Sequence, residues 1–329
     1  MKCIIKRMTC FFICTALLLP MAACGKEESL EEAYDVIDTS AKYNIGTDFF
    51  STSQLFTGSG AALLSDEDVI AGVVDSSLSK AAILVNVDDS EVLYARSALE
   101  KLYPASITKL MTAYLVLNNV DDLDAELTIS ATAVALPEGS SRCGFSEGDK
   151  MTVRDCLYGL LLKSGNDAAV ALAEYVSGSE SEFVELMNET AQSFGATHTN
   201  FANSSGLHDD NHYTTAYDLY LIMNHLIENE EYKKIAADAS YKAVYQNAEG
   251  EEVSANWQST DLYLDNTYEL PQGITILGGK TGTTSNAGSC LLLYTQNEEG
   301  KHFISIVLGA DNKDNLYEEM SELLQLENN

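Results

Sequence analysis

Three short polar stretches, far apart in the chain, contain the residue types that an acyl-transfer site needs. They are SITK at residues 106–109, SGN at 164–166 and KTG at 280–282. In this order they offer a nucleophilic hydroxyl with a neighbouring amine, a proton relay, and a cation for an anionic substrate group. A second S-x-x-K stretch at residues 77–80 sits in a polar segment without such partners. The prediction therefore depends on all three stretches together.

The first stretch predicts a nucleophile beside its base. Pro104 and Ala105 open an apolar helical pattern, so the Ser106 hydroxyl and N–H should lie at a helix N-terminus, which favours negative charge. Lys109 follows one helical turn later on the same face, within reach of the Ser106 oxygen. Burial and a second cation, Lys280, would keep this amine neutral, as a base must be. An isolated stretch of this type is usually a capping serine followed by a surface lysine.

The second stretch interrupts an apolar helical run at residues 153–176 with residues that favour a tight turn. We expect Ser164 to pass a proton between Lys109 and a leaving amine, and the Asn166 amide to hold a substrate peptide group. Alone, this triplet would be read as a connector between two helices.

The third stretch ends a β-branched strand with small residues, which let another backbone approach its edge. Lys280, Thr281, Gly282 and Thr283 are the predicted substrate-binding residues. The Lys280 ammonium and the two threonine hydroxyls would bind a terminal carboxylate. The Thr283 N–H would join that of Ser106 as a donor to an oxyanion.

We expect neither a cofactor nor a metal. A nucleotide-binding P-loop would need a glycine at position 274, which is Ile274. His208 and His212 flank an acidic loop, but such crowded polar loops are common without a metal. No G-x-S-x-G stretch surrounds any serine, which disfavours an α/β-hydrolase.

Strand patterns near both ends of the chain must position these stretches. Residues 81–87 and 91–95 predict a hairpin, and three later strands are predicted at 274–280, 290–295 and 303–308. The strands at the two ends would share one sheet.

A helix-rich block separates the two groups of strands. We therefore predict an α/β (α+β) fold, in which an antiparallel five-stranded sheet from both chain ends is covered by helices and carries an inserted, mostly helical lobe at about residues 105–230. Helices are predicted at 107–117, 153–162, 167–176, 182–194, 215–228 and, at the end of the chain, 314–326.

The N-terminal segment predicts export and lipidation. Residues 1–23 combine a basic start, an apolar run and small residues directly before Cys24, as in a lipoprotein signal peptide. Cys24 would then carry the lipid, residues 24–68 would form an acidic, serine-rich tether, and residues 69–329 would form the folded domain. An ordinary cleaved secretory signal is the alternative. Both place the protein outside the cytoplasm.

The charge of the chain limits its partners. With 19 basic and 50 acidic residues, the formal net charge is −31. Such a chain repels nucleic acid and anionic lipid surfaces, so membrane residence would have to come from the lipid on Cys24.

Three cysteines follow the N-terminal segment. Cys143, Cys156 and Cys290 are expected to be small buried side chains, although a bridge between the first two is possible.

Together the three stretches resemble the S-x-x-K, S-x-N and K-T-G set shared by penicillin-binding proteins and serine β-lactamases. The similarity is greatest to low-molecular-mass D-alanyl-D-alanine carboxypeptidases of the peptidase S11 type. It is carried by residues 103–114, 160–169 and 279–291, with further similar stretches at 203–207 and 212–218. The resemblance extends over about residues 69–312.

The resemblance implies a reaction. Ser106 would attack the carbonyl between the two D-alanines of a peptidoglycan stem peptide, release the last one, and form an acyl-enzyme that water hydrolyses. Penicillins would acylate the same serine. Lys109 would be the base, Ser164 the relay and Lys280 the carboxylate anchor. The chain departs from many relatives in its lipoprotein-like start and in ending at Asn329, without room for a β-rich C-terminal domain.

Two other functions compete with this one. A class A β-lactamase needs a glutamate, usually in E-x-x-L-N, on a loop after the second stretch, whereas Glu182 and Glu185 lie on a helical pattern without that spacing. A non-catalytic penicillin-recognising, cell-wall-binding lipoprotein would retain the fold but would have no need for Lys109.

Overall fold

The computed structural model describes residues 61–65 and 67–328. The predicted signal peptide at residues 1–23, Cys24 and nearly all of the tether at 24–68 lie outside the described residues.

One sheet joins the two ends of the described chain, as the sequence predicts. Its strand order is β2-β1-β9-β8-β7, and each neighbouring pair is antiparallel. Ala81 at the start of β1 pairs with Leu308 of β9. The predicted five-stranded antiparallel sheet is therefore confirmed, with β7 at its edge. The strands are β1 (Ala81–Asn86), β2 (Glu91–Arg96), β3 (Glu126–Thr128), β4 (Lys150–Thr152), β5 (Ser240–Gln246), β6 (Glu252–Gln258), β7 (Thr275–Thr284), β8 (Gly288–Gln296) and β9 (His302–Ala310).

The sheet lies between two hydrophobic cores because successive side chains of a strand point to opposite faces. In β1, Ile83 packs into the core shared with the helical lobe, while Leu84 packs into the core under the C-terminal helix. Both faces are buried, which explains the continuous apolar runs of β1, β8 and β9 in the sequence.

The predicted helices are all present, with ends shifted by a few residues. Side-chain caps begin several of them: for example, the Thr215 hydroxyl accepts a hydrogen bond from Asp218 N–H. The helices are α1 (Lys109–Asn119), α2 (Ala131–Val134), α3 (Val153–Leu161), α4 (Asn166–Ser177), α5 (Glu180–Ser193), α6 (Ala216–Leu226), α7 (Glu230–Ala236) and α8 (Lys313–Leu326). A 3₁₀ helix at Ala105–Thr108 directly precedes α1.

A second sheet was not predicted. It has the order β3-β4-β5-β6, so the inserted lobe contains strands as well as helices and continues past residue 230 to Gln258. Two of its strands have only three residues each. Strands this short leave little periodic signal in a sequence. The other two carry apolar residues at every second position of 241–245 and 253–257, a period-two pattern that the prediction missed.

The described cysteines are not bridged. Cys143, Cys156 and Cys290 are free thiols, so the possible bridge between the first two does not form, and the last two are buried as expected. Among the described residues, no helix is both long enough and apolar enough to cross a membrane.

Candidate active site

The nucleophile candidate lies where the 3₁₀ helix meets the edge strand β7. A Cβ atom on Gly282 would lie 2.9 Å from Pro104 O and 3.0 Å from Ser106 N. Only glycine therefore lets β7 come this close to the Ser106 backbone. Ala105, directly before the serine, has a φ of +47°, a conformation that costs a non-glycine residue energy. The 3₁₀ helix is thus held with Ser106 directly against β7.

Lys109, the first residue of α1, has a complete set of hydrogen-bond partners. Its Nζ lies 2.8 Å from Asn166 Oδ1, 2.6 Å from Ser205 O and 3.0 Å from Ser106 Oγ. Two of these partners are oxygens that can only accept. A charged ammonium would donate to all three oxygens, whereas a neutral amine, with two hydrogens and one lone pair, would donate to the two acceptors and turn its lone pair to Ser106. The geometry suits an amine that takes the hydroxyl proton.

The electrostatic surroundings of Lys109 favour this neutral form. The side chain is fully buried, and burial is the main reason why its pKa lies well below the usual value. The charge of Lys280 lowers the pKa further, while Asp167 opposes both effects. The second cation thus acts on Lys109 as the sequence analysis expected.

The polar turn between α3 and α4 is formed as predicted. Ser164 has a φ of +61°, and the turn is held by the Gly165 N–H bond to Gly159 O at 3.0 Å and the Asn166 N–H bond to Ser141 O at 2.9 Å. Asn166 is the first residue of α4, and its amide oxygen holds Lys109. The Asn166 amide oxygen is thus bound within the protein rather than directed at a substrate.

Ser106, Ser164 and the outer part of β7 share one cleft of about 190 Å³. Thr281, Gly282 and Thr283 line it together with the two serines. Cavities of about 470 and 250 Å³ exist elsewhere on the described surface, but neither contains a serine beside a base. Of these three cavities, the smallest is the one in which a serine hydroxyl, that of Ser106, lies beside a lysine amine.

Lys280 lies behind this cleft rather than in its wall. It is 2% exposed, and its Nζ lies 3.1 Å from Thr281 O and 3.5 Å from Thr260 Oγ1. Burial lowers the pKa of Lys280 to about 7, against the opposing charge of Asp261. The strand was predicted to end at this lysine, but β7 continues to Thr284, because its pairing with β8 extends to Gly288.

A model of the D-alanyl-D-alanine carboxypeptidase family, peptidase S11, matches residues 69–312. The chain belongs to this family. It is 33% identical over 235 residues to the D-alanyl-D-alanine carboxypeptidase DacF of Bacillus subtilis, and 32% identical over 284 residues to DacA of Haemophilus influenzae. These matches cover 70% and 82% of this chain, and 57% and 67% of the relatives. The chain thus spans about three fifths of the length of several such relatives.

Two solved structures that the chain resembles have the same fold. The Streptomyces K15 DD-transpeptidase superposes with a TM-score of 0.71 at 26% identity, covering 77% of this chain and 98% of that one. The D-alanyl-D-alanine carboxypeptidase DacD of Francisella tularensis gives a TM-score of 0.68 at 25% identity, covering 85% and 76%.

Several residues of this family member's site were not predicted. Ser205 contributes its carbonyl to Lys109, and Gly206 lies so close to the 3₁₀ helix that a Cβ atom would be 1.8 Å from Ala105 O. Both belong to a stretch whose family resemblance was visible, although no role was read from it. Asp167 receives the N–H groups of Cys143 and Gly144 at 2.8 and 3.0 Å, which ties a loop to the polar turn.

Two other candidate features lie apart from the cleft. Ser77 of the second S-x-x-K stretch is exposed and donates to Asp75 at 2.7 Å. The two loop histidines do not converge: His208 lies 3.0 Å from the Asn286 amide, whereas His212 turns inward to Thr108. Within the part of the chain that the structure describes, no three potential metal ligands gather.

Proposed function

We propose that this protein is a serine-type D-Ala-D-Ala carboxypeptidase that removes the terminal D-alanine from peptidoglycan stem pentapeptides through an acyl-enzyme on Ser106, and that penicillins block it by acylating the same residue. The contact that carries the proposal is the 3.0 Å approach of Lys109 Nζ to Ser106 Oγ. Because the other Lys109 contacts are to pure acceptors, the amine is ready to take the serine proton.

Acylation then follows from the groups around the cleft. Lys109 takes the Ser106 proton while Oγ bonds to the carbonyl carbon, and the carbonyl oxygen becomes an oxyanion between the N–H groups of Ser106 and Thr283. The C–N bond breaks as Ser164 passes its proton to the departing amine and takes the proton held by the Lys109 ammonium in return, so D-alanine leaves neutral at nitrogen and Lys109 is again a neutral base. Water, activated by the same base, hydrolyses the ester and restores the serine.

The edge of β7 is the proposed docking strand for the substrate. An extended peptide can add to this edge because β7 has a neighbour on one side only. Thr281 and Thr283 line the cleft and offer hydroxyls to the terminal carboxylate. Lys280, buried behind them, contributes its charge through the strand rather than by a direct contact.

The proposed location is the outer face of the cell membrane, towards the cell wall. The support is the signal-like segment at residues 1–23 followed by Cys24 as the lipid-bearing residue, with residues 24–68 as a tether to the domain at 69–329. Mass spectrometry of the mature N-terminus tests this part: a diacylglyceryl mass on Cys24 supports it, and an unmodified N-terminus contradicts it.

Rapid β-lactam hydrolysis is not expected from this site. Glu182 is exposed near the start of α5, where its carboxylate receives the Ser179 hydroxyl at 3.0 Å, and neither it nor Glu185 lines the cleft. A penicilloyl-enzyme should persist, because the amine freed from the β-lactam ring stays attached to the acyl group and, unlike D-alanine, cannot leave the cleft to make room for water.

The test is incubation of the purified protein with a stem pentapeptide that ends in D-Ala-D-Ala. Released D-alanine should be stoichiometric with tetrapeptide, and Ser106→Ala should abolish the release, while Ser77→Ala, the matched serine of the second S-x-x-K stretch, should leave it unchanged. Fast hydrolysis of penicillin with no D-alanine would favour a β-lactamase. Absence of both activities would favour a binding lipoprotein.

A further inference from the structure

A chain of hydrogen bonds runs from a buried histidine to the peptide bond before the nucleophile. Ala202 N–H donates to His212 Nδ1 at 3.2 Å, and His212 Nε2 lies 2.8 Å from Thr108 Oγ1. The Thr108 hydroxyl donates to Ala105 O at 2.8 Å. His212 and Thr108 are 2% and 1% exposed. None of the reaction steps above uses these side chains.

The partners of His212 determine which of its ring nitrogens carries the hydrogen. A backbone N–H can only donate, so Nδ1, which faces Ala202 N–H, must be the unprotonated nitrogen. Nε2 therefore carries the hydrogen and donates to Thr108 Oγ1, whose own hydrogen goes to Ala105 O. All three bonds run in one direction, and in such a chain each bond strengthens the next.

The surroundings of His212 keep the ring in this neutral state. Burial is the main cause that lowers the pKa of His212 to about 4. The charges of Lys109 and His208 lower it further, and Asp209 opposes them. The edge of Phe201 packs against the ring, with 5.6 Å between the ring centroids. At neutral pH the chain of bonds is therefore intact.

The peptide that receives this chain is the one whose N–H would face the oxyanion. Ala105 O and Ser106 N–H belong to the same planar trans peptide and point in opposite directions, so holding the carbonyl sets the direction of the N–H. The positive φ of Ala105 needs such support. Gly206 packs on the carbonyl side and Gly282 on the Ser106 N side, where added Cβ atoms would lie at 1.8 and 3.0 Å.

We propose that His212 and Thr108 are positioning residues for acylation, which aim the Ser106 N–H at the oxyanion by holding the Ala105 carbonyl. This inference rests on the acyl-enzyme function proposed above. Neither side chain touches the substrate. Their effect should appear in the transition state of acylation. The hydrogen bond from Ser106 N–H to the substrate's carbonyl oxygen strengthens as negative charge develops on that oxygen. Loss of the chain should therefore slow acylation without weakening the complex that precedes it.

The test compares two substitutions at Thr108 by stopped-flow kinetics with a fluorescent penicillin. Thr108→Val removes the hydroxyl at constant shape and should lower the acylation rate constant by about 10- to 100-fold, with the dissociation constant of the noncovalent complex unchanged. Thr108→Ser keeps the hydroxyl and should recover most of the rate. Thr214→Val is the matched control, because this buried hydroxyl bonds to Thr199 instead.

His212 provides a second, independent measurement. Nitrogen-15 NMR of labelled histidines should show a neutral His212 ring with its hydrogen on Nε2 at neutral pH, whether or not the protein reacts with penicillin. His212→Leu should slow acylation like Thr108→Val, and the double variant should be no slower than either single variant, since both break one chain.

The outcomes separate this inference from the proposed function. If the wild-type protein forms no acyl-enzyme, the proposed function fails. If the wild-type protein reacts but Thr108→Val reacts equally fast, or Thr108→Ser loses as much rate as Thr108→Val, the positioning role is overturned. A charged His212 ring, or a hydrogen on Nδ1, overturns it as well.

Discussion

At the residue scale, the candidate site depends on one buried amine, Lys109, whose neutral form would satisfy all three of its contacts. The two pure acceptors around Lys109 leave its lone pair for Ser106, and burial together with Lys280 lowers its pKa. The pairing of Ser106 with Lys109 was predictable from their residue types and their spacing in the sequence. The acceptor from Ser205 could not be predicted, because it is a backbone carbonyl and every residue has one.

The two lysines predict a bell-shaped pH dependence of kcat/KM for D-alanine release. Lys109 must be neutral, so activity should rise with pH through its depressed pKa. Lys280 must be charged, and because its pKa is lowered to about 7, activity should fall again as the pH rises above that value. The profile for the free enzyme is the measurement.

Lys280→Arg provides the control for the alkaline side of this profile. A guanidinium stays charged throughout the range, so the fall at higher pH should disappear even if the overall rate is lower. An unchanged alkaline limb in this variant would show that some other group causes it.

At the scale of secondary-structure elements, the site is a junction of a 3₁₀ helix, a polar turn and an edge strand. The long helices and the buried strands were predictable from their apolar periodicity. The point at which β7 ends was not predictable from the sequence, because Gly278, Gly279 and Gly282 locally disfavour a strand. In the structure these glycines instead allow neighbouring backbone to pack closely against β7. Added Cβ atoms at Gly279 and Gly282 would lie 2.6 Å from Leu292 O and 2.9 Å from Pro104 O.

The contact between β7 and the 3₁₀ helix predicts a sharp effect of one methyl group. Gly282→Ala should push the strand away from Ser106 by a few tenths of an ångström and lower the acylation rate constant by about 10-fold or more, since small misplacements in a site are costly. Gly72→Ala is the control, because an added Cβ there meets nothing within 4 Å. Equal rates for the two variants would contradict the role given to this contact.

At the scale of the whole molecule, the sheet with its two cores holds the cleft between the inserted lobe and β7. The pairing of β1 with β9, far apart in the sequence, closes this arrangement. Apolar runs at both ends of the chain made it predictable. Two strands of the small second sheet are too short to show a pattern, whereas the alternation in the other two, with apolar residues at every second position of 241–245 and 253–257, was present and was missed.

A buried carboxyl at the end of α8 predicts how stability depends on pH. Glu327 receives the hydroxyls of Thr295 and Ser305, and burial raises its pKa to about 8. The folded protein therefore holds this proton more tightly than the unfolded chain does. The resulting stability is present at acid pH and is lost as the pH rises towards about 8.

Chemical denaturation at a series of pH values measures this effect. Between mildly acid and mildly alkaline pH, the free energy of unfolding of the wild type should fall by up to roughly 4 kcal/mol because of Glu327. In Glu327→Gln this fall should be absent. Glu318→Gln, on the exposed side of the same helix, should keep the wild-type dependence. The carboxyl is not buried as described if both variants follow the wild-type curve.

The proposed function requires that Ser106, activated by Lys109, becomes the acylated residue. The most direct measurement is mass spectrometry of the protein after brief treatment with benzylpenicillin, followed by digestion and sequencing of the modified peptide. We expect one intact penicilloyl group, located on Ser106 and slow to be lost. An adduct on Ser77 or on any other residue, or no adduct at all, would contradict it.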